Sequence, residues 1–152
     1  VGISGGKRAA MFFGEFDYRV DEKGRVQIPP KFRVGLREGV VLTPGVEKCI
    51  TCYPLPEWKN LATALTTGSV TPSKLRRLNR AVFATAFHIN IDGQGRIALP
   101  HQLREYAEIG DEAVVAGANT YFELWNKAHW QKEKTVSQEQ AWQIIESLEK
   151  RE

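Results

Sequence analysis

The chain has 152 residues, 42% of them hydrophobic and 26% charged, with a formal net charge of +3. That length suits one domain or two small fused ones, and the balance is that of an ordinary globular protein. No apolar run approaches the roughly 20 residues that cross a bilayer, and the start has no signal-peptide pattern, so a cytoplasmic location is expected.

Residues 1–10 are small, polar and Gly-rich, without periodicity. Met11 is the only methionine. A natural start at Met11 is expected, with residues 1–10 a leader or tag remnant.

From Met11 to Gly14 the chain leads into its first patterned stretch, F-D-Y-R-V-D-E-K-G-R-V-Q-I-P, residues 16–29. Phe16, Tyr18 and Val20 alternate with Asp17 and Arg19, the period of a strand with one buried face. Asp21 can accept hydrogen bonds from turn amides, and Gly24 supplies a positive φ. Val26 and Ile28 then return to the buried face, and proline stops the strand. The expected element is a hairpin with Arg25 beside its tip, pointing outward.

Beyond Pro29 and Pro30, residues 31–36 read as a short helix ended by Gly39, with Phe32 and Leu36 on one side. Residues 40–42 and 49–53 read as strands around a Pro44-Gly45 turn. Cys49 and Cys52 form a C-x-x-C, the spacing of half a zinc site or of a redox pair. No second C-x-x-C follows, and His88, His101 and His129 are scattered. In a strand, positions three apart face opposite sides, which favours two small buried residues.

Pro56 is placed to open a helix, which carries Trp58, Leu61, Ala62 and Leu65. Residues 11–65 thus make a first unit. Residues 66–84 are a linker and a basic helix, with Thr71 as N-cap and the helix over about 73–84. Its Leu75, Leu78 and Val82 line one side, and Lys74, Arg77 and Arg80 lie mainly away from it.

Residues 85–134 then repeat the first unit. F-H-I-N-I-D-G-Q-G-R-I-A-L-P, residues 87–100, matches residues 16–29, with Asp92, Gly95 and Arg96 at the turn. Leu103, Arg104, Ala107 and Gly110 stand where Phe32, Arg33, Leu36 and Gly39 stood. Shifted by one residue, Trp125 and Trp130 match Tyr53 and Trp58. A period near 70 residues is too long for a solenoid unit and reads as a duplicated half-domain. Residues 135–152 form a terminal helix, with a capping box at Ser137 and Gln140 and an apolar stripe of Ala141, Trp142, Ile145 and Leu148. That stripe must be buried, on this chain or on a neighbouring subunit, since each half is small for an independent core.

The charge is uneven. Arg19, Lys23, Arg25, Lys31, Arg33 and Arg37 face only Asp21 and Glu22 between residues 19 and 37. Lys74, Arg76, Arg77 and Arg80 stand with no acid between residues 71 and 80. Basic clusters in a balanced chain suit a polyanion, although any single cluster fits a solvated helix face as well. No Ser/His/Asp or Cys/His arrangement and no P-loop stands out, which points away from an enzyme.

The M-F-F-G start, D-E-K-G-R-V-Q-I-P-P and D-G-Q-G-R-I-A-L-P, each followed by a short helix, together resemble the MraZ family of bacterial transcriptional regulators. The likeness covers essentially the whole chain from Met11. It implies an α+β fold of two tandem AbrB-like swapped-hairpin β-barrel repeats, related by a pseudo-two-fold. It implies a homo-oligomeric ring that binds G-rich direct repeats in double-stranded DNA and regulates transcription of the cell-division and cell-wall gene cluster; repression is the expected sense, with activation the open alternative. No cofactor, metal, membrane or small-molecule substrate is implied, and the location is cytoplasmic and nucleoid-associated. The D-x-x-x-R signature falls on Asp21 and Arg25, and on Asp92 and Arg96. Arginine can contact guanine O6 and N7 in bidentate fashion, and Lys23 can reach phosphate. Asp21 and Asp92 would organise the turns rather than touch DNA. Gln94 replaces Lys23 in the second turn, so the first should weigh more. A protein-binding ring scaffold and an antitoxin-like DNA binder are the competing readings.

Overall fold

The computed structural model describes residues 10–150. The expectation of a leader over residues 1–10 lies outside them except for Ala10, which packs against the core.

The first repeat contributes β1 (Glu15–Arg19), β2 (Arg25–Gln27), α1 (Pro30–Arg33), β3 (Val40–Pro44), β4 (Ile50–Pro54) and α2 (Leu55–Thr67). A 3-10 turn at Val34–Leu36 extends α1. α3 (Pro72–Leu78) and a π turn at Asn79–Phe83 connect the halves. The second repeat contributes β5 (Phe87–Ile89), β6 (Arg96–Ala98), α4 (His101–Ala107), β7 (Glu112–Gly117), β8 (Phe122–Trp125) and α5 (Lys127–Glu149).

The strands do not pair as simple hairpins. β1 joins β7, β5 joins β3, and β2 joins β6, all antiparallel. A six-stranded sheet runs β1-β7-β8-β4-β3-β5, beside the two-stranded β2-β6 ribbon. Exchanging each strand for its repeat counterpart reverses that order and leaves it unchanged, which is the pseudo-two-fold. Within the first turn only Val20 and Val26 still bridge each other. The hairpins are closed at the tip and opened below it, with each arm given to the other repeat. Pairing β2 with β6 sets Val26 opposite Ile97, both essentially buried.

One core results. Val26, Ile28, Phe32, Leu36, Val40 and Leu42 share a cluster with Ile97, Leu99, Leu103, Val115, Phe122 and Leu124. Phe32 is its aromatic centre, with ring centroids 5.0 Å from Phe12, 5.5 Å from Phe16 and 5.4 Å from Phe122. Neither half closes this core alone, as expected of units this small.

Cys49 and Cys52 are both free and buried, and they lie in separate clusters, Cys49 just before β4 and Cys52 within it. Burial, reinforced by the Glu123 carboxylate, pushes the Cys49 thiol up to about 12. Cys52 is raised still more plainly by its burial. Burial therefore keeps both thiols in the neutral form. Among the described residues no group of three or more His, Cys, Asp or Glu could hold a metal. No described helix is long and apolar enough to cross a membrane.

Three expectations change. The terminal helix does not begin at a Ser137 capping box. α5 is capped by Asn126, whose Oδ1 accepts from the His129 amide at 3.0 Å, and it runs through Ser137. Ser137 Oγ instead donates to Glu133 at 2.9 Å. Its first turns are anchored: Trp130 Nε1 donates to Glu15 at 3.2 Å, and Lys134 pairs with Glu15 at 3.1 Å. Residues 135–150 are exposed, Trp142 included at 69%, so the apolar stripe is not buried on its own chain. Second, Gly110 does not repeat the role of Gly39. Gly39 has φ +97°, whereas in the second repeat Glu108 takes the left-handed position at φ 54°. Its amide closes α4 by donating to the Glu105 and Arg104 carbonyls. Third, α2 runs to Thr67, into the stretch from residue 66 expected to begin the linker. The Thr71 cap forms as expected, accepting from the Lys74 amide.

Candidate nucleic-acid interface

The two D-x-x-G-R turns are built alike. In the first, Asp21 Oδ1 accepts from the amides of Lys23 and Arg25, both at 2.9 Å, and Oδ2 accepts from Arg25 Nε at 2.8 Å. In the second, Asp92 Oδ1 accepts from Gln94 and Arg96 at 2.9 Å, and Oδ2 from Arg96 Nε at 3.0 Å. Gly24 and Gly95 have φ +75° and +80°, a region that side chains disfavour. Each aspartate thus folds its turn with one oxygen and aims its arginine with the other.

Arg25 and Arg96 do not stand free in solvent. Their side chains are 31% and 20% exposed, because each lies along its aspartate. The clamp engages Nε, and the terminal nitrogens of Arg25 make no hydrogen bond among the described residues. The edge able to grip a base is left available.

The ribbon brings the two turns together. In the β2-β6 register Arg25 faces Ala98 and Arg96 faces Gln27. The arginines are therefore diagonal neighbours on its outer face, with backbones about 7–8 Å apart. Arg96 Nη1 also lies 3.7 Å from Asp21 Oδ2. Asp21 serves both arginines, whereas Asp92 serves one. Two turns 71 residues apart in sequence, from Asp21 to Asp92, form one site.

Both carboxyls are held below the ordinary aspartate range. For Asp21 the Arg25 amide is the largest cause, opposed by desolvation and helped by the Arg25 side chain and the Lys23 amide. Asp92 follows suit, led by the Arg96 amide. A depressed carboxyl contributes order that is complete above its unfolded pKa and lost as pH falls through its folded one. The turns should therefore hold throughout the neutral range and open only in strong acid. NMR titration of the Arg25 and Arg96 amides should give midpoints below the ordinary aspartate value of about 3.9. Midpoints at or above it would contradict the clamp.

The surrounding charge is less free than its count suggests. Arg19 pairs with Asp111 at 3.8 Å. Lys31 stacks over the Phe13 and Phe16 rings at 4.4 and 5.1 Å. Arg33 Nε donates to the Ile28 carbonyl at 2.9 Å, and Nη2 to Gln27 at 3.0 Å. Lys23 stays exposed at the first turn, with exposed Gln94 at the second. Lys74, Arg76, Arg77 and Arg80 are exposed on α3 and the π turn, which Phe83 ties to α2 through Trp58 at 5.1 Å. Sequence reasoning missed Gln27 and the engagement of Arg33. Arg33 recurring as Arg104 was the only signal.

Fold and site together define a tandem swapped-hairpin α+β protein of the AbrB-like class, carrying paired Asp–Arg turns on one ribbon. A family model described as "MraZ protein, putative antitoxin-like" matches residues 11–80 and again 82–150. The chain belongs to the MraZ family. It is 58% identical over 140 residues to a protein of Dehalococcoides mccartyi named "Transcriptional regulator MraZ", covering 91% of this chain and 99% of that one. Relatives of the same name from Herpetosiphon aurantiacus and Desulforamulus reducens are 46% and 36% identical. Those alignments cover 80% and 91% of this chain, and 85% and 97% of the relatives.

Proposed function

We propose that this regulator binds double-stranded DNA through the outer face of the β2-β6 ribbon, reading guanine with Arg25 and Arg96. The observation that carries the reading is the diagonal pair of arginines, each aimed by its own aspartate. A β-ribbon fits the major groove, where guanine presents two acceptors to one guanidinium. Lys23 adds a phosphate contact at the first turn, and Asp21 and Asp92 position the arginines without touching DNA. The targets are G-rich direct repeats in the promoter of the cell-division and cell-wall gene cluster, and the outcome is repression. The protein acts in the cytoplasm, at the nucleoid.

One ribbon is a small contact, so several copies in a ring would engage several boxes at once and raise the effective affinity. The exposed Val136, Trp142, Ile144, Ile145 and Leu148 on α5 support a further assembly surface. The test is titration of the chain with promoter DNA bearing the repeats and with the same DNA scrambled, across a salt series. Preference for the repeats and a steep loss of affinity with salt are expected. Equal binding to both DNAs, or none to either, would overturn the reading.

A further inference from the structure

Arg33 and Arg104 follow the ribbon strands on α1 and α4, and each reaches across to the other repeat's turn. A Cβ placed on Gly95 would fall on the Arg33 guanidinium. A Cβ placed on Gly24 would lie 3.0 Å from Arg104 Nη1. The backbone is exchanged in the same sense. The Ile28 amide donates to the Gly95 carbonyl, and the Leu99 amide to the Gly24 carbonyl, both at 2.9 Å. Ile28 thus closes a circuit: its amide holds the second turn while its carbonyl holds the arginine packed against that turn.

We propose that Arg33 and Arg104 are positioning residues for DNA reading, each bracing the turn of the opposite repeat from a helix. This rests on the DNA-binding reading above. A bare turn gives its arginine a loosely defined direction, whereas base recognition needs it fixed. A flat guanidinium against a residue without a side chain supplies that support. Both glycines serve the turn through their positive φ, and Gly95 also leaves room for the close approach of Arg33, whereas Arg104 lies less tightly on Gly24.

The two braces are unequal. Arg33 makes two hydrogen bonds, to the Ile28 carbonyl and Gln27 Oε1. Ala98 stands in the second repeat where Gln27 stands in the first, and its side chain has no acceptor to offer. Arg104 Nη2 reaches the Gly110 carbonyl at 3.1 Å, and its buried Nε has no partner among the described residues. Arg33 therefore holds the second turn more firmly than Arg104 holds the first.

The experiment is amide hydrogen exchange on the full chain, paired with promoter-DNA titration. Arg33→Ala should speed exchange at Gly95 and Arg96 about tenfold or more, as local opening becomes easier, and leave Gly24 and Arg25 unchanged. Arg104→Ala should do the converse, and by less. Loosening confined to the variant's own turn, or at neither turn, overturns the brace, whatever the DNA result. In the titration Arg33→Ala should weaken binding, and Arg33→Ala with Arg96→Ala should lose no more than Arg96→Ala alone. Arg33→Lys keeps the charge without the planar fork, so it should behave as Arg33→Ala. Rescue by lysine would instead make Arg33 a phosphate contact and overturn positioning. Cross-repeat loosening with wild-type DNA affinity in Arg33→Ala would also overturn it. If Arg96→Ala itself leaves DNA affinity unchanged, the DNA reading of that turn fails, separately from the brace.

Discussion

Arg25→Ala should abolish most of the promoter preference while leaving the chain folded. A good bidentate arginine–guanine contact is worth about 1–3 kcal/mol, or about 5- to 150-fold in affinity. Arg96→Ala should cost less, because Arg96 is the more enclosed and the more tethered, lying close to Asp21 as well as Asp92. Gln94 beside it also lacks the charge of Lys23. The double variant should lose more than either alone, since the two arginines share one face. Thermal stability should hardly move, as partly exposed ion pairs contribute only about 0–1 kcal/mol. Fluorescence anisotropy with repeat-bearing and scrambled DNA, alongside circular dichroism melts, measures both. Unchanged affinity in Arg25→Ala would reduce the Asp21–Arg25 pair to a turn staple.

Phe32→Ala should be the opposite kind of variant, damaging the fold before the site. Phe32 is 1% exposed and packs against Phe12, Phe16 and Phe122, so it joins the first repeat to β8 of the second. Truncating a buried Phe to Ala costs about 3–5 kcal/mol through lost burial and the cavity left behind. At about 2–4 °C per kcal/mol for a chain of this size, the melting temperature should fall by roughly 6–20 °C. A single cooperative melt is expected, because both repeats share one core. A fall under about 1 kcal/mol would show that the aromatic cluster collapses around the gap without loss.

Much of the local structure was legible in residues. The alternation around Phe16 and Phe87, the Asp and Gly of each turn, and the Thr71-Pro72 helix start all act within a few positions. Their geometry follows from backbone sterics and short-range hydrogen bonds. The α5 start was misread because Ser137 and Gln140 match a capping pattern. Asn126, eleven residues earlier, already caps the helix, and nothing between them stops it. The stripe over residues 135–150 was visible in sequence, but its exposure was not, since burial depends on what the rest of the chain places nearby.

The sequence by itself determined that the two turns are copies, that each pairs one aspartate with one arginine, and that they differ at Lys23 and Gln94. Those are properties of spacing and residue type. Only the tertiary structure decided that the copies are one site. Strand register is a long-range choice between alternative partners, and it joined β2 to β6 rather than either strand to its own neighbour. That choice set Arg25 diagonal to Arg96, let Asp21 serve both, and carried Arg33 and Arg104 across to the opposite glycines.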